Sequence, residues 1–146
     1  MSNPESVLIA LGSNLGDRRR TLLRAIDELR RVITIVRVSS IHETDPVDTP
    51  QGSPRFLNMV IAGHTTLKPE QLLSHLLDIE QRLGRVRGVR NAPRTIDLDL
   101  ILHGANVRRT RELTLPHPRY RERDFVMKPL RELRLAWRDP LTGAPL

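Results

Sequence analysis

The sequence predicts an α+β domain, a ferredoxin-like βαββαβ sheet with helices packed on it and an irregular C-terminal extension. Three observations lead there. Apolar, β-branched runs alternate with two stretches of helical period in the order strand, helix, strand, strand, helix, strand. The 146 residues suit a single domain, 1–146, with no repeat at a fixed period. Finally, Pro116, Pro118 and Pro129 break up the segment beyond the last strand.

Taken in order, Val7 to Leu11 reads as a strand closed by the turn Gly12-Ser13-Asn14-Leu15-Gly16. Leu22, Ile26 and Leu29 then recur at helical spacing behind Asp17, a suitable N-cap, which places Arg18, Arg19 and Arg20 on the outer face. Val32 to Ile41 reads as one second strand, and Thr44 to Arg55, with three prolines, as a long loop. From Phe56 to Thr66 alternation puts Phe56, Asn58, Val60 and Ala62 on one face and Leu57, Met59 and Ile61 on the other. Pro69 opens a second helix with Leu72, Leu76, Ile79 and Leu83 inward and Gly84 as its C-terminal cap. Arg85 to Arg94 is a basic loop and Ile96 to Leu102 the fourth strand. A short segment near Asp124 to Leu133 comes next, and Asp139 to Leu146 is a loosely held end. The helices are expected on one face of the sheet, leaving the other to ligands or to the tail.

The chain has no cysteine, which excludes disulfides, thiolate nucleophiles and cysteine-ligated metal centres and suits a reducing cytoplasm. The longest early apolar run is too short for a signal-peptide core or a membrane span, so no membrane partner is expected. Of the 24 basic residues only Lys68 and Lys128 are lysines, and the net charge is +7. Guanidinium forks suit phosphate oxygens. A GC-rich coding preference produces the same excess, so position has to decide.

Position favours the stretch from Arg94 to Leu102. Alternation along a strand turns the carboxylates of Asp97 and Asp99 to one face and sends Leu98, Leu100 and Leu102 to the core. Paired carboxylates can hold Mg²⁺, which completes its shell with water and substrate phosphates; a half-buried strand with an acidic outer face shows the same pattern. Arg85, Arg87, Arg90 and Arg94 stand just upstream, and guanidinium groups facing metal-binding carboxylates suit a polyphosphate in phosphoryl transfer. Mutual surface ion pairs would stabilise by only about 0–1 kcal/mol each, a weak reason to gather six charges. No P-loop or dinucleotide-binding glycine motif is present. Among the histidines only His117 stands out, in the stiff basic loop Leu115-Pro116-His117-Pro118-Arg119, with Arg123 close behind. Aromatic residues, at 3%, are too sparse for the stacking sheet of a single-strand nucleic-acid binder. Phe56 shares its face with Asn58, so a planar heterocycle would stack on the ring and meet the amide; a core phenylalanine beside a satisfied asparagine is the commoner arrangement.

Ala10-Leu11-Gly12-Ser13-Asn14-Leu15-Gly16-Asp17, Glu43-Thr44-Asp45-Pro46-Val47, Phe56-Leu57-Asn58 and Glu80 through Arg87 succeed one another in a specific order. With Pro93 through Leu100, Leu115 through Arg119 and Arg123-Asp124-Phe125-Val126, they resemble the 6-hydroxymethyl-7,8-dihydropterin pyrophosphokinase family of folate biosynthesis over nearly the whole chain. The resemblance implies transfer of the terminal diphosphate of ATP, the co-substrate, to the hydroxymethyl group of a reduced pterin, releasing AMP. It implies two Mg²⁺ ions on Asp97 and Asp99, and Arg85 and Arg94 acting with these acids in catalysis. Glu80, Arg87, Arg90, His117 and Arg123 would contact the nucleotide. Thr44, Pro46, Val47, Phe56, Asn58 and Phe125 would contact the pterin. Asn91 stands where some members carry Trp, and the arginine loop is one residue shorter than theirs. The expected partners are ATP and hydroxymethyldihydropterin alone, with no nucleic acid, in a cytoplasmic monomer. A non-catalytic nucleic-acid-binding domain, suggested by the +7 charge, is the competing reading.

Overall fold

The computed structural model describes residues 3–14, 16–44, 55–84 and 96–146. The first apolar run becomes β1 (Glu5–Ser13), buried continuously from Val7 onwards. A strand with no solvent-facing side has to be central. It pairs antiparallel with β4 (Phe56–Thr65) on one side and β5 (Asp97–His103) on the other. Two short strands, β2 (Thr34–Val38) and β3 (His42–Thr44), succeed one another along the far edge of β4. The resulting order β2-β4-β1-β5, antiparallel throughout, is the expected ferredoxin-like arrangement. A small hairpin, β6 (Arg108–Arg109) with β7 (Thr114–Leu115), stands apart from it.

α1 (Arg18–Arg30) starts at Asp17, whose carboxylate accepts the Arg20 N–H at 3.1 Å. Its inward residues Leu22, Ala25, Ile26 and Leu29 meet Leu72, Leu76 and Ile79 of α2 (Pro69–Gly84) over Val7, Ile9, Leu11, Met59, Ile61, Leu98 and Leu100 of the sheet. Arg18 is not simply solvated: it donates to the Arg55 carbonyl at 2.7 Å and to Glu43 at 3.0 Å. On the opposite face α3 (Asp124–Glu132) packs Val126, Met127 and Leu130 on Leu8, Ala10, Val60, Ala62 and Ile101. The C-terminal extension therefore supplies the third layer, with the sheet in the middle.

Three local expectations are corrected. The second strand is not continuous: at Ser39 the side-chain hydroxyl accepts the Val60 N–H (2.9 Å) while the Ser39 N–H donates to the Val60 carbonyl (3.0 Å). The hydroxyl takes the place of a ladder carbonyl and lets the chain turn between β2 and β3. Leu102 does not share a face with Leu98 and Leu100. The register passes from Ile9↔Leu100 to Leu8↔Leu102, so Ile101 is a bulge, and both Ile101 and Leu102 join the α3 layer. Nor is the end loose: buried Asp139 accepts hydrogen bonds from Tyr120 (2.5 Å), Leu141 N–H (2.8 Å) and Thr142 N–H (3.1 Å), and Leu146 N–H reaches the Trp137 carbonyl (3.1 Å).

α3 is fastened at its far end by polar contacts. Arg37 of β2 donates to the carbonyls of Leu133 (2.5 Å) and Arg134 (3.0 Å). Glu132 accepts from the Ser40 N–H (2.8 Å) and hydroxyl (2.7 Å) and pairs with His42. The two Ser40 hydrogen bonds, with His42 adding to them, hold the Glu132 carboxyl down at about 2.

A depressed folded-state value means stabilisation that is fully present above the ordinary carboxylate range and is lost as the pH falls towards 2. Glu132→Gln should therefore lower the melting temperature at neutral pH, with the gap from wild type closing on acidification below about 4.5; a pH-independent gap would reject this. At Gly63 an added Cβ would lie 2.4 Å from the Thr34 carbonyl oxygen, a backbone atom. Gly63→Ala should cost about 1–3 kcal/mol in urea unfolding by forcing β2 off β4, and an unchanged midpoint would contradict that packing.

Candidate active site

The register of β1 builds the site. Gly12 stands opposite Asn58 of β4 on one side and opposite Asp97 of β5 on the other, and Ala10 stands likewise between Val60 and Asp99. All six side-chain positions point to the α3 face, because residues two apart share a face. The two central positions are the smallest residues available, so the row is hollow in its middle. A pocket of about 230 Å³ occupies the hollow, floored by Ala10 and Gly12 and lined by Asn58, Asp97, Asp99, Thr44, Phe56, Arg123 and Phe125.

A Cβ at Gly12 would come 3.1 Å from Asn58 Oδ1 and 3.7 Å from the Phe56 ring, so glycine sets the width of this floor. Asn58, only 5% exposed, donates from Nδ2 to Thr44 Oγ1 at 2.5 Å. That bond fixes the amide and turns its oxygen over Gly12. Phe125 enters from the first turn of α3, and the guanidinium of Arg123, the residue before that helix, lies 5.6 Å from its ring centroid.

β5 carries the acids, Asp97 more exposed and Asp99 partly covered. The N–H of Leu98, between them, donates to the carboxylate of Glu80 at 2.8 Å; Glu80 is 7% exposed on α2. Glu80, expected at the nucleotide, has its carboxylate against the backbone of the acidic strand and is not among the residues lining this pocket. His117 is tied to the other end of β5 by its N–H on the Ile101 carbonyl (2.9 Å). Burial holds the His117 imidazole below its ordinary value; the charge of Asp99 opposes this and that of Arg123 adds to it. The ring is thus neutral at pH 7. The Arg119 N–H points at its Nδ1 (3.4 Å), which leaves Nε2 to carry the hydrogen.

Of the residues proposed from the sequence, Asp97, Asp99, Thr44, Phe56, Asn58, Arg123 and Phe125 converge on one pocket, and His117 is within electrostatic reach of Asp99 and Arg123. Pro46, Val47, Arg85, Arg87, Arg90 and Arg94 lie outside the described residues. Sequence reasoning missed Gly12 and Ala10 as pocket residues. Their small size on an otherwise bulky apolar strand was the available signal. Among the described residues no group of three or more His, Asp or Glu gathers as a self-sufficient metal centre. Two carboxylates on one strand instead suit a hard cation that takes its remaining oxygens from substrate and water.

Comparison with known proteins gives the family and the fold. Residues 8–135 match the family described as 7,8-dihydro-6-hydroxymethylpterin-pyrophosphokinase (HPPK). The 2-amino-4-hydroxy-6-hydroxymethyldihydropteridine pyrophosphokinase of Bacillus subtilis (strain 168) is 46% identical over 127 residues, 86% of this chain and 75% of that protein. The mitochondrial folate synthesis bifunctional protein of Pisum sativum is 45% identical over 130 residues, 88% of this chain but only 25% of that longer one. The crystal structure of Plasmodium falciparum HPPK-DHPS wild type with pteroate superposes with a TM-score of 0.76 at 10% identity, covering 99% of this chain and 43% of that one, which shows a shared fold. With a family match across most of its length, this chain belongs to the 7,8-dihydro-6-hydroxymethylpterin-pyrophosphokinase family.

Proposed function

We propose that the chain transfers the terminal diphosphate of ATP to the hydroxymethyl group of 6-hydroxymethyl-7,8-dihydropterin and releases AMP. The observation that carries this reading is the row Asn58–Gly12–Asp97, which sets a fixed amide and an acid on either side of a hollow. Adjacent strands are about 4.8 Å apart, so the two groups are separated by roughly 10 Å, room for a fused bicyclic ring between them. Asn58 offers its carbonyl oxygen and the amide hydrogen that Thr44 leaves unused, a donor and acceptor pair suited to the pterin edge. Phe56 and Phe125 line the same hollow and offer their rings to the heterocycle.

The hydroxymethyl oxygen attacks the β-phosphorus and loses its proton to solvent, while the bond from that phosphorus to the α,β-bridging oxygen breaks and its electron pair leaves with AMP. Asp97, in the row with Asn58, is the carboxylate assigned to this hydroxyl. Arg123 and His117, the latter donating from Nε2, hold the anionic nucleotide, and charge on the phosphates is met further by Arg85, Arg87, Arg90 and Arg94. Asp97 and Asp99 are suited to hold two Mg²⁺ ions, which when bound neutralise phosphate charge and polarise the phosphoryl oxygens. Glu80 acts one step back, by fixing the strand between the two acids. On this reading the enzyme works as a monomer in the reducing cytoplasm, in keeping with a chain free of cysteine.

Incubation with ATP, Mg²⁺ and hydroxymethyldihydropterin should yield AMP in step with pterin diphosphate, monitored by chromatography; ADP as the product would reject diphosphate transfer. Asp97→Ala should reduce kcat by about a hundredfold or more while the melting temperature holds.

A further inference from the structure

The proposed mechanism leaves unused a buried ionisable pair, Tyr120 and Asp139, only 3% and 5% exposed. Tyr120 lies midway between the two nucleotide-contacting residues and is bonded through its backbone to both. Its N–H donates to the His117 carbonyl (3.5 Å), and its carbonyl accepts the Arg123 N–H (3.2 Å). The phenol donates to Asp139 Oδ2 at 2.5 Å, and the other oxygen of that carboxylate accepts the N–H groups of Leu141 (2.8 Å) and Thr142 (3.1 Å). Arg121 closes the same contact. It lies 5.3 Å from the Tyr120 ring centroid and 3.8 Å from Asp139, and donates to the carbonyls of Ala144 and Pro145 (both 3.2 Å). Burial, then the bond to Asp139, pushes the Tyr120 hydroxyl up to about 12, so it stays a donor at every working pH.

We propose that the last eight residues form a latch, with Tyr120 and Asp139 as positioning residues that set His117 and Arg123 for the nucleotide. This inference rests on the nucleotide role given to those two residues above. The tail's hydrogen bonds go to Tyr120 and Arg121, in the turn between His117 and Arg123, so its effect falls first on ATP. By reciprocity, nucleotide binding must favour the docked tail as much as the docked tail favours the nucleotide. Trp137, the sole tryptophan, reports docking, since its carbonyl accepts the Leu146 N–H and its side chain packs beside the α3 core.

Tyr120→Phe removes one hydroxyl and keeps the ring; Asp139→Ala removes all three acceptor contacts, and Asp139→Asn restores part of them. Tyr120→Phe and Asp139→Ala should raise KM for ATP by about tenfold, the scale of a lost hydrogen bond to a charged group, with the pterin KM and kcat at saturating ATP within about twofold of wild type. Asp139→Asn should recover part of the loss. Trp137 emission should shift to the red in the variants and return on addition of a non-hydrolysable ATP analogue with Mg²⁺. An unchanged KM for ATP in folded Tyr120→Phe, an equal loss for both substrates, or a red shift that the analogue does not reverse would overturn the latch. Should Asp139→Ala not fold, Tyr120→Phe decides alone. Failure of the wild-type protein to form AMP would instead sink the catalytic reading, while the fluorescence response to the analogue still tests the latch.

Discussion

The register of one strand governs the rest of the molecule. β1 runs antiparallel between β4 and β5 so that Gly12 meets Asn58 on one side and Asp97 on the other. A shift of either neighbour by one residue would turn Asn58 or both acids into the helical layer and fill the hollow with Leu57, Met59 or Leu98. Burial on both faces prevents such a slip. Val7, Ile9 and Leu11 are locked against α1 and α2 while Leu8 and Ala10 are locked against α3. The same packing that stabilises the fold thus fixes two polar groups at opposite ends of a gap.

The C-terminal extension belongs to that constraint. α3 roofs the gap with Phe125 at its first turn and is fastened at its last turn by Arg37, Ser40 and His42. The contacts at the far end come from β2, the turn after it and the start of β3, and Thr44 at the end of β3 orients Asn58. Opposite ends of α3 are therefore joined through β3 to the pocket-lining side chains. Glu80 does comparable work beneath the acids, where its carboxylate satisfies an amide of β5, the edge strand of the sheet among the described residues.

Much of this was legible because periodicity reports burial. The alternation from Phe56 to Ala62 separated Asn58 from Met59 correctly, the Leu72, Leu76 and Ile79 spacing found α2, and Asp17 marked the start of α1. Less legible were the points where a side chain or a bulge substitutes for the regular ladder. Ser39 interrupts the second strand with its hydroxyl, and Ile101 shifts the phase of β5 beyond Leu100. The tail looked loose because Asp139 reads as a turn residue, and nothing local announces that a tyrosine nineteen positions earlier will bury it. Of the site, the charged and aromatic members were visible from residue type and resemblance; Gly12 was not, because its contribution is an absence of atoms.

That absence is open to direct measurement. Calorimetric titration of 6-hydroxymethyl-7,8-dihydropterin, without ATP, into wild type and Gly12→Ala reads the width of the floor as an affinity. A methyl group there meets Asn58 Oδ1 at 3.1 Å, so pterin affinity should fall by about tenfold or more while binding of an ATP analogue with Mg²⁺ and the melting temperature stay near wild type. Equal pterin affinity in the two proteins would contradict the placement of the ring between Asn58 and Asp97.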